Sequence, residues 1–459
     1  MQFFIRGFLV GMLFRKCLFL IALILSFSQS LYAVPVSHAN DDADHLSSLV
    51  REAGEYQLHG YRGQAVALLE QADRLAARLG IDQNDTGLQL AQLYYELGEY
   101  SLSQNLTTRI LDQEPPIGIQ AKALNILAAV ESTLNSPKDA TVSFIKAYQA
   151  SLKSTDKVMT ATILANHLRH ELDYENASVA LEIGQQLLPL STAQGVLAEQ
   201  VEVQISIGEL FIRLADQTGE SPYYNHALSI LQRAESAAES LGQVRLQSYA
   251  IGHQGLLLIN QDNFDEGIQR LNTANFLANS SRSFESAYLW QWQLARAHRR
   301  QGKIDKAITG YQTAIATLEK VRTELINGSP FTFPQKVQPL FAEFSDLLLT
   351  AAAEAKTAAD QQAYLKEVQA VLEQSKSAEL QDYFQNDCVV PDQTVDLKLV
   401  AAATAVLYPV ILADRLEVLV NIGDEVYQFV HQIDESDLVE MANDFRYNLE
   451  IDQGDDEYK

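Results

Sequence analysis

The chain has 459 residues, 47% of them hydrophobic, which excludes a disordered polymer and provides for two or three domains with large cores. Its 34 Lys and Arg against 59 Asp and Glu give a formal charge of −25. That charge repels phosphate backbones and removes the counterion-release contribution to nucleic-acid binding, so no DNA or RNA partner is expected.

In chain order, Arg15 and Lys16 precede the apolar run Cys17 to Phe27, which small and polar residues close. The run suits a signal-peptide core and is too short to span a bilayer. Residues 1–39 are therefore read as an export signal, cleaved after Ala33 or after Ala39. The alternative is an uncleaved anchor, which the further apolar stretch from Phe3 to Leu13 allows. A start at Met12 would leave a compact basic n-region ending in Arg15 and Lys16, and Met12 is the expected start. The expected location is exported, periplasmic or secreted, with no stable membrane span after cleavage. Cys17 leaves with the signal, and the charge beside it argues against lipidation there. Cys388 then stands alone, so no intrachain disulfide is expected.

From about Leu46 to Val321 apolar residues recur at i, i+4 and i+7, and Gly, Pro, Asn and Asp mark the breaks. Small anchors fall at Ala65, Ser103, Ala140, Ala177, Ala227, Gly267 and Ala307, spaced by 38, 37, 37, 50, 40 and 40. A period of this size means a helix pair that buries its apolar face by stacking on a neighbour. In Ala140-Phe144-Ala147, Ala227-Leu231-Ala234, Gly267-Leu271-Ala274 and Ala307-Tyr311-Ala314, two small residues flank one large one on a single helix face. Turns such as Gly98-Glu99-Tyr100 and Gly302-Lys303-Ile304 precede the anchors, and the widest gap is assigned to an inserted loop from Gln217 to Asn225. These features resemble tetratricopeptide repeats, although the spacing exceeds the roughly 34 residues of the common form. The resemblance implies an α-solenoid over 46–325 that binds a protein or peptide partner, with no cofactor.

Asn327-Gly328-Ser329-Pro330 and Phe333-Pro334 mark a boundary, after which helices are expected at Val337 to Thr357 and Ala359 to Gln385. Strands follow at Ala405 to Leu412, Leu416 to Val420 and Glu425 to Val430, then a polar tail over 451–459. Lys376, Ala378 to Phe384, Asp387-Cys388-Val389 and the hairpin Ala405 to Glu417 resemble the opening of a CHAT domain, the caspase-like module that follows tetratricopeptide arrays in bacterial proteins. The fold class expected is thus mainly α, a solenoid followed by a short, incomplete α/β caspase-like segment over 326–450. The family implies a Cys–His peptidase whose catalytic pair lies downstream of these strands. Here Cys388 is followed only by His431, in the wrong order and setting, so Cys388 is read as a structural thiol and the chain as unable to cut peptides by itself.

A partial sheet with an open edge has three readings: completion by another polypeptide, packing back on the repeats, or the remnant of an interrupted gene, which is favoured. The function expected is an exported repeat scaffold. The alternative is the N-terminal fragment of a caspase-like cysteine peptidase regulated by its repeats.

His167 and His170 share a helix face with Glu171 beside them but lack a third ligand, so no metal site is assigned. No phosphate-binding glycine loop, nucleophile elbow or Cys-x-x-Cys pair occurs. Aligning Ala140, Ala177 and Ala307 makes Asn125, Asn166, Arg169, Arg296, Arg299 and Arg300 the candidate peptide-groove residues. Replacing Arg296 and Arg300 by Ala is expected to weaken partner binding without melting the array. Trp290, Trp292, Tyr223 and Tyr224 are expected in the core or as staples.

Overall fold

The structure is a computed structural model and describes residues 37–58, 61–134, 136–191, 197–325, 337–384 and 405–452. Cleavage at Ala33, the 327–334 boundary and Cys388 lie outside the described residues, whereas Ala39 falls in the first turn of the first helix.

Seven helix pairs make the array: α1 (Ser37–Leu58) with α2 (Arg62–Leu79), α3 (Asn84–Glu96) with α4 (Tyr100–Leu111), α5 (Ile117–Thr133) with α6 (Pro137–Ser151), α7 (Lys157–Asp173) with α8 (Ala177–Leu187), α9 (Ala198–Thr218) with α10 (Pro222–Ser240), α11 (Val244–Asn260) with α12 (Phe264–Ser280), and α13 (Phe284–Arg300) with α14 (Ile304–Leu325). Small residues explain the pairing. Twelve positions before each second-helix anchor the first helix carries Ala53, Ala91, Ala128, Leu168, Ala215, Gly255 or Ala295, every one of them buried. Where glycines meet the backbones nearly touch: a Cβ on Gly255 would lie 3.1 Å from the Gly267 carbonyl oxygen. Each apolar face is thereby closed by its partner helix and by the next unit.

Two expectations need correction. The fourth anchor is Ala180, which is fully buried, whereas Ala177 is only half-buried at the first position of α8. Asn176 decides the register: the Ala180 N–H donates to its carbonyl, as Ala140 does to Ser136 and Ala307 to Lys303. There is also no loop from Gln217 to Asn225. Helix α9 runs to Thr218, Gly219 closes it at φ 74°, and α10 begins at Pro222. The extra length lies instead in α9 and α10 and in the 188–197 connection.

Most turns use a left-handed residue to end a helix, Gly302 at φ 69° being one. Arg282 performs the same task at φ 55°, where an L side chain is strained. Arg282→Gly is expected to raise stability by about 0.5 kcal/mol, the relief of strain exceeding the added freedom of the unfolded chain, and a higher urea midpoint is the check.

Beyond the array, α15 (Gln338–Ala353) and α16 (Ala358–Phe384) form another antiparallel pair. Strands β1 (Ala405–Ile411), β2 (Arg415–Ile422) and β3 (Glu425–Gln432) form an antiparallel meander, with Leu407 opposite Val420 and Val418 opposite Phe429. A last helix, α17 (Glu435–Asp452), has no counterpart in the sequence-based expectations. One hydrophobic core runs from Trp292 and Tyr311 through Phe341, Phe344 and Leu348 to Val368, Leu419 and Val426. Residues 337–384 and the sheet thus pack back on the last repeat pair.

Trp290, Trp292 and Tyr223 are buried, and the half-buried Tyr224 donates its hydroxyl to Asp216. Among the described residues no helix is long and apolar enough to cross a membrane.

Candidate functional site

Successive first helices touch one another, α3 on α5, α5 on α7, α7 on α9, α9 on α11 and α11 on α13. Second helices pack mainly on their own partner and on the following first helix. The more closely spaced layer is the inner one, so the first helices line the concave side of the solenoid.

A polar seam runs along this inner layer. Asn166 Nδ2 donates to Asn125 Oδ1 at 3.2 Å, and Arg169 donates to Asn166 Oδ1 at 2.9 Å and to Ser206 Oγ at 2.8 Å, which ties α5, α7 and α9 together. Arg213 pairs with Asp173 at 2.6 Å. Arg245 continues the seam, 3.6 Å from Glu202 on α9 and 2.8 Å from Glu285 on α13, with its guanidinium 5.2 Å from the Tyr249 ring centroid. Near the start of the array Arg62 pairs with Glu96 at 2.7 Å.

The electrostatics describe a concavity. Glu202 keeps 46% of its side-chain surface accessible, yet desolvation raises its carboxyl above the usual range against the pull of Arg245. Desolvation likewise raises Glu209, against Arg169 and Arg213. Accessible but poorly solvated carboxylates belong to a groove walled on several sides. Burial pushes the His253 imidazole down to about 4, and its Nδ1 has no hydrogen-bond partner among the described residues. A depressed imidazole pKa contributes stability that is complete above the unfolded value near 6.5 and is lost as pH falls from there toward 4. The urea midpoint is therefore expected to drop across that window, and to drop less in His253→Gln.

The six candidates divide into three groups. Asn125, Asn166 and Arg169 come together in the seam. Arg296 and Arg299 are engaged by α15: Arg296 donates through two nitrogens to the Glu343 carboxylate while stacking 4.3 Å from the Trp292 ring centroid, and Arg299 pairs with Asp346. Arg300 turns to the preceding repeat, donating to the Ile259 carbonyl at 3.0 Å and to Asp262 at 2.7 Å. Removing Arg296 therefore tests the docking of α15 before it tests a ligand.

Glu202, Ser206, Glu209, Arg245, Tyr249 and His253 were missed by the sequence reading. A signal for three of them exists. Counting back 18 and 14 residues from an anchor gives Tyr249 and His253 before Gly267, Glu209 and Arg213 before Ala227, and Thr162 and Asn166 before Ala180.

His167 and His170 belong to a buried polar knot between α6 and α7. Glu171 accepts from His167 Nε2 at 3.1 Å and from Asn176 at 2.7 Å, and the His170 ring nitrogens meet the hydroxyls of Ser132 at 2.7 Å and Thr141 at 3.1 Å. Burial opposes charge on Glu171, but these hydrogen bonds prevail and hold its carboxyl below the usual range; burial lowers His170.

No protein-family model matches the chain, and no curated protein matches it by sequence. It is similar to the solved structure of apo RapI at 14% identity and TM-score 0.43, covering 61% of this chain and 99% of that one. A Rap protein complexed with Competence and Sporulation Factor is similar at 15% identity and TM-score 0.43, covering 76% and 100% of the two chains. A signal-transduction ATPase with a tetratricopeptide repeat sensor from Pyrococcus horikoshii is similar at 13% and 0.42, covering 71% and 53%. Likenesses of this size carry no functional argument, and the class rests on the chain's own geometry. Paired helices locked by buried residues twelve positions apart, small on both sides in every pair except Leu168 with Ala180, and with an inner polar seam, define a tetratricopeptide-like α-solenoid.

Proposed function

We propose that the chain is an exported scaffold that binds a protein or peptide segment in the concave groove of its solenoid. The observation that carries this reading is the inner row of Asn, Arg, Glu and Tyr side chains from Asn125 to Arg245, in which Glu202 and Glu209 are accessible yet poorly solvated. Desolvated polar groups gain more from a partner's backbone amides and charges than the same groups do in bulk water. A photoreactive residue in place of Tyr249 tests the reading, against a control at Phe276, which is exposed on the second helix α12. Cross-linking from position 249 alone supports groove binding; labelling equal at both positions counts against it. Asn166→Ala and Arg169→Ala are each expected to weaken capture of that partner roughly tenfold, about 1.4 kcal/mol, beyond a stability loss of about 1 kcal/mol from the hydrogen bonds that tie α5, α7 and α9.

The order of elements from Gln338, two helices and then three antiparallel strands, supports the resemblance to the opening part of a CHAT domain. A longer product carrying the downstream His and Cys, and acting as a cysteine peptidase under the control of its repeats, is the second reading, supported by the sheet's apolar outer face. The intact mass of the protein from its source cells separates the two and reports the mature N-terminus at the same time.

A further inference from the structure

Both faces of the three-stranded sheet carry apolar side chains, the inner one beside the polar Glu417, Asn421 and Gln428, and among the described residues only the inner face is covered. Tyr408, Val410, Leu419 and Val426 alternate inward and join the core with α15 and α16. The residues between them point outward, and this face too is largely apolar: Leu407, Ile411, Val418, Val420, Tyr427 and Phe429, with Glu425, which accepts from the Tyr427 hydroxyl, and His431 at its two ends. Leu407 is 63% and Phe429 59% exposed. An antiparallel sheet that faces water on one side alternates apolar with polar residues, and this one does not.

A second open apolar surface follows immediately in the chain. In α17, Leu438, Met441, Ala442 and Phe445 recur at i, i+3, i+4 and i+7, the stripe of a helix that lies on a core, while Asp437, Glu440 and Asp444 gather on the other side. Phe445 is nevertheless 67% and Met441 61% exposed. An amphipathic helix of 18 residues draws its stability from burying such a stripe.

The two surfaces match in size and chemistry. Strands of seven or eight residues at sheet spacing make a face of about 25 by 14 Å, and α17 is about 27 Å long and 10 Å wide. Only Ile433 and Asp434 separate β3 from α17, and the Glu435 N–H donates to the Ala413 carbonyl in the β1–β2 turn at 3.2 Å. That attachment holds the first turn of α17 at the end of its own sheet, with the stripe still open.

We propose that the occupant of the outer sheet face is α17 of a second copy of this chain. The exchange is reciprocal about a two-fold axis, each copy giving its helix and receiving its partner's, so that both open surfaces close in one step. Two such contacts bring the buried area toward the roughly 1,200–2,000 Å² of stable dimers. The inference is independent of what the groove binds.

Light scattering of the full chain across the micromolar range is the first test, and a dimer is expected. Met441→Glu with Phe445→Glu on α17, and separately Phe429→Glu on the sheet, should each convert it to monomer with at least a hundredfold loss of affinity. The α17 variant changes only exposed side chains, so an unchanged circular dichroism melt keeps the test free of misfolding. In a Cys388→Ser background, chains carrying Phe445→Cys mixed with isotope-labelled chains carrying Phe429→Cys should cross-link to one another through a short bis-maleimide. A monomeric wild type, a dimer that survives the α17 change, cross-links formed only within a doubly substituted chain, or a second polypeptide found on the sheet would each overturn the proposal.

Discussion

Trp290→Ala is expected to lower the stability of the array by roughly 3–5 kcal/mol, the cost of emptying an indole-sized space that neighbouring helices cannot refill. The side chain is 2% exposed and packs among Ile251, Ile259, Leu271 and Ala274. Its ring meets Tyr249 edge-on at 5.8 Å and His253 at 5.5 Å. Its Nε1 donates to Ser248 Oγ at 3.0 Å, and that hydroxyl donates to the Ala274 carbonyl at 2.8 Å, so the indole also holds a hydrogen-bond chain from α13 through α11 to α12. Gly252 supplies a discriminating control. A Cβ there would lie 2.4 Å from the indole, so Gly252→Ala alone should cost about 1–3 kcal/mol by overpacking. Made together with Trp290→Ala, the same change should cost nothing or partly refill the space. Urea melts of the four proteins close the cycle, and strictly additive costs would show that the two residues do not share this contact.

The repeat architecture was legible because its physical cause is local. Two helices approach closely only where small residues meet, so a period in Ala, Gly and Ser becomes a period in structure, with Ser103 donating its hydroxyl to the Ala91 carbonyl in place of simple apolar contact. The register failed at the fourth unit because Ala177 and Ala180 are both small, and choosing between them depends on Asn176 as the cap. The supposed loop after Gln217 failed for a related reason. Gly219 and Pro222 mark a tight turn, and the spacing alone did not say that the additional residues lengthened helices on either side.

The groove was partly legible. Asn125, Asn166 and Arg169 lie on helices whose neighbours are also repeats and meet there, although the alignment on Ala177 that selected them stands three residues off the true anchor Ala180. Arg296 and Arg299 resemble them in sequence but end the array, where the neighbouring helix is α15 and not another repeat. Glu343 and Asp346 stand 47 residues away from them, and no periodicity announces that pairing. Helix α17 carries its own signal, Glu435 and Asp437 before the stripe from Leu438 to Phe445, but no interior patch on the described chain receives it.

Glu343→Ala is expected to loosen the C-terminal unit by about 2–4 kcal/mol while α1 to α10 keep their stability. Its carboxylate accepts from Trp292 Nε1 at 2.8 Å, from Arg296 and from Tyr311 Oη at 3.1 Å, which joins α13, α14 and α15 at one point. Alanine strands three donors together, and Tyr311 and Trp292 are too buried to turn to water. Arg296 keeps 40% of its surface and can rehydrate, which holds the cost below that of a fully buried pair. Glu343→Gln retains an acceptor oxygen and should cost less than half as much. A second relay survives in both variants: Arg299 to Asp346, Asp346 to Arg415 at 2.6 Å, Arg415 to Glu417 at 2.7 Å and Glu417 to Gln428 at 2.6 Å. Hydrogen exchange resolved along the sequence separates the outcomes. Faster exchange in α15, α16 and β1 to β3 with an unchanged first half identifies Glu343 as the clasp between array and sheet. Equal acceleration throughout would mean that the chain unfolds as one cooperative unit, in which ligand binding in the groove stabilises the sheet as much as the repeats.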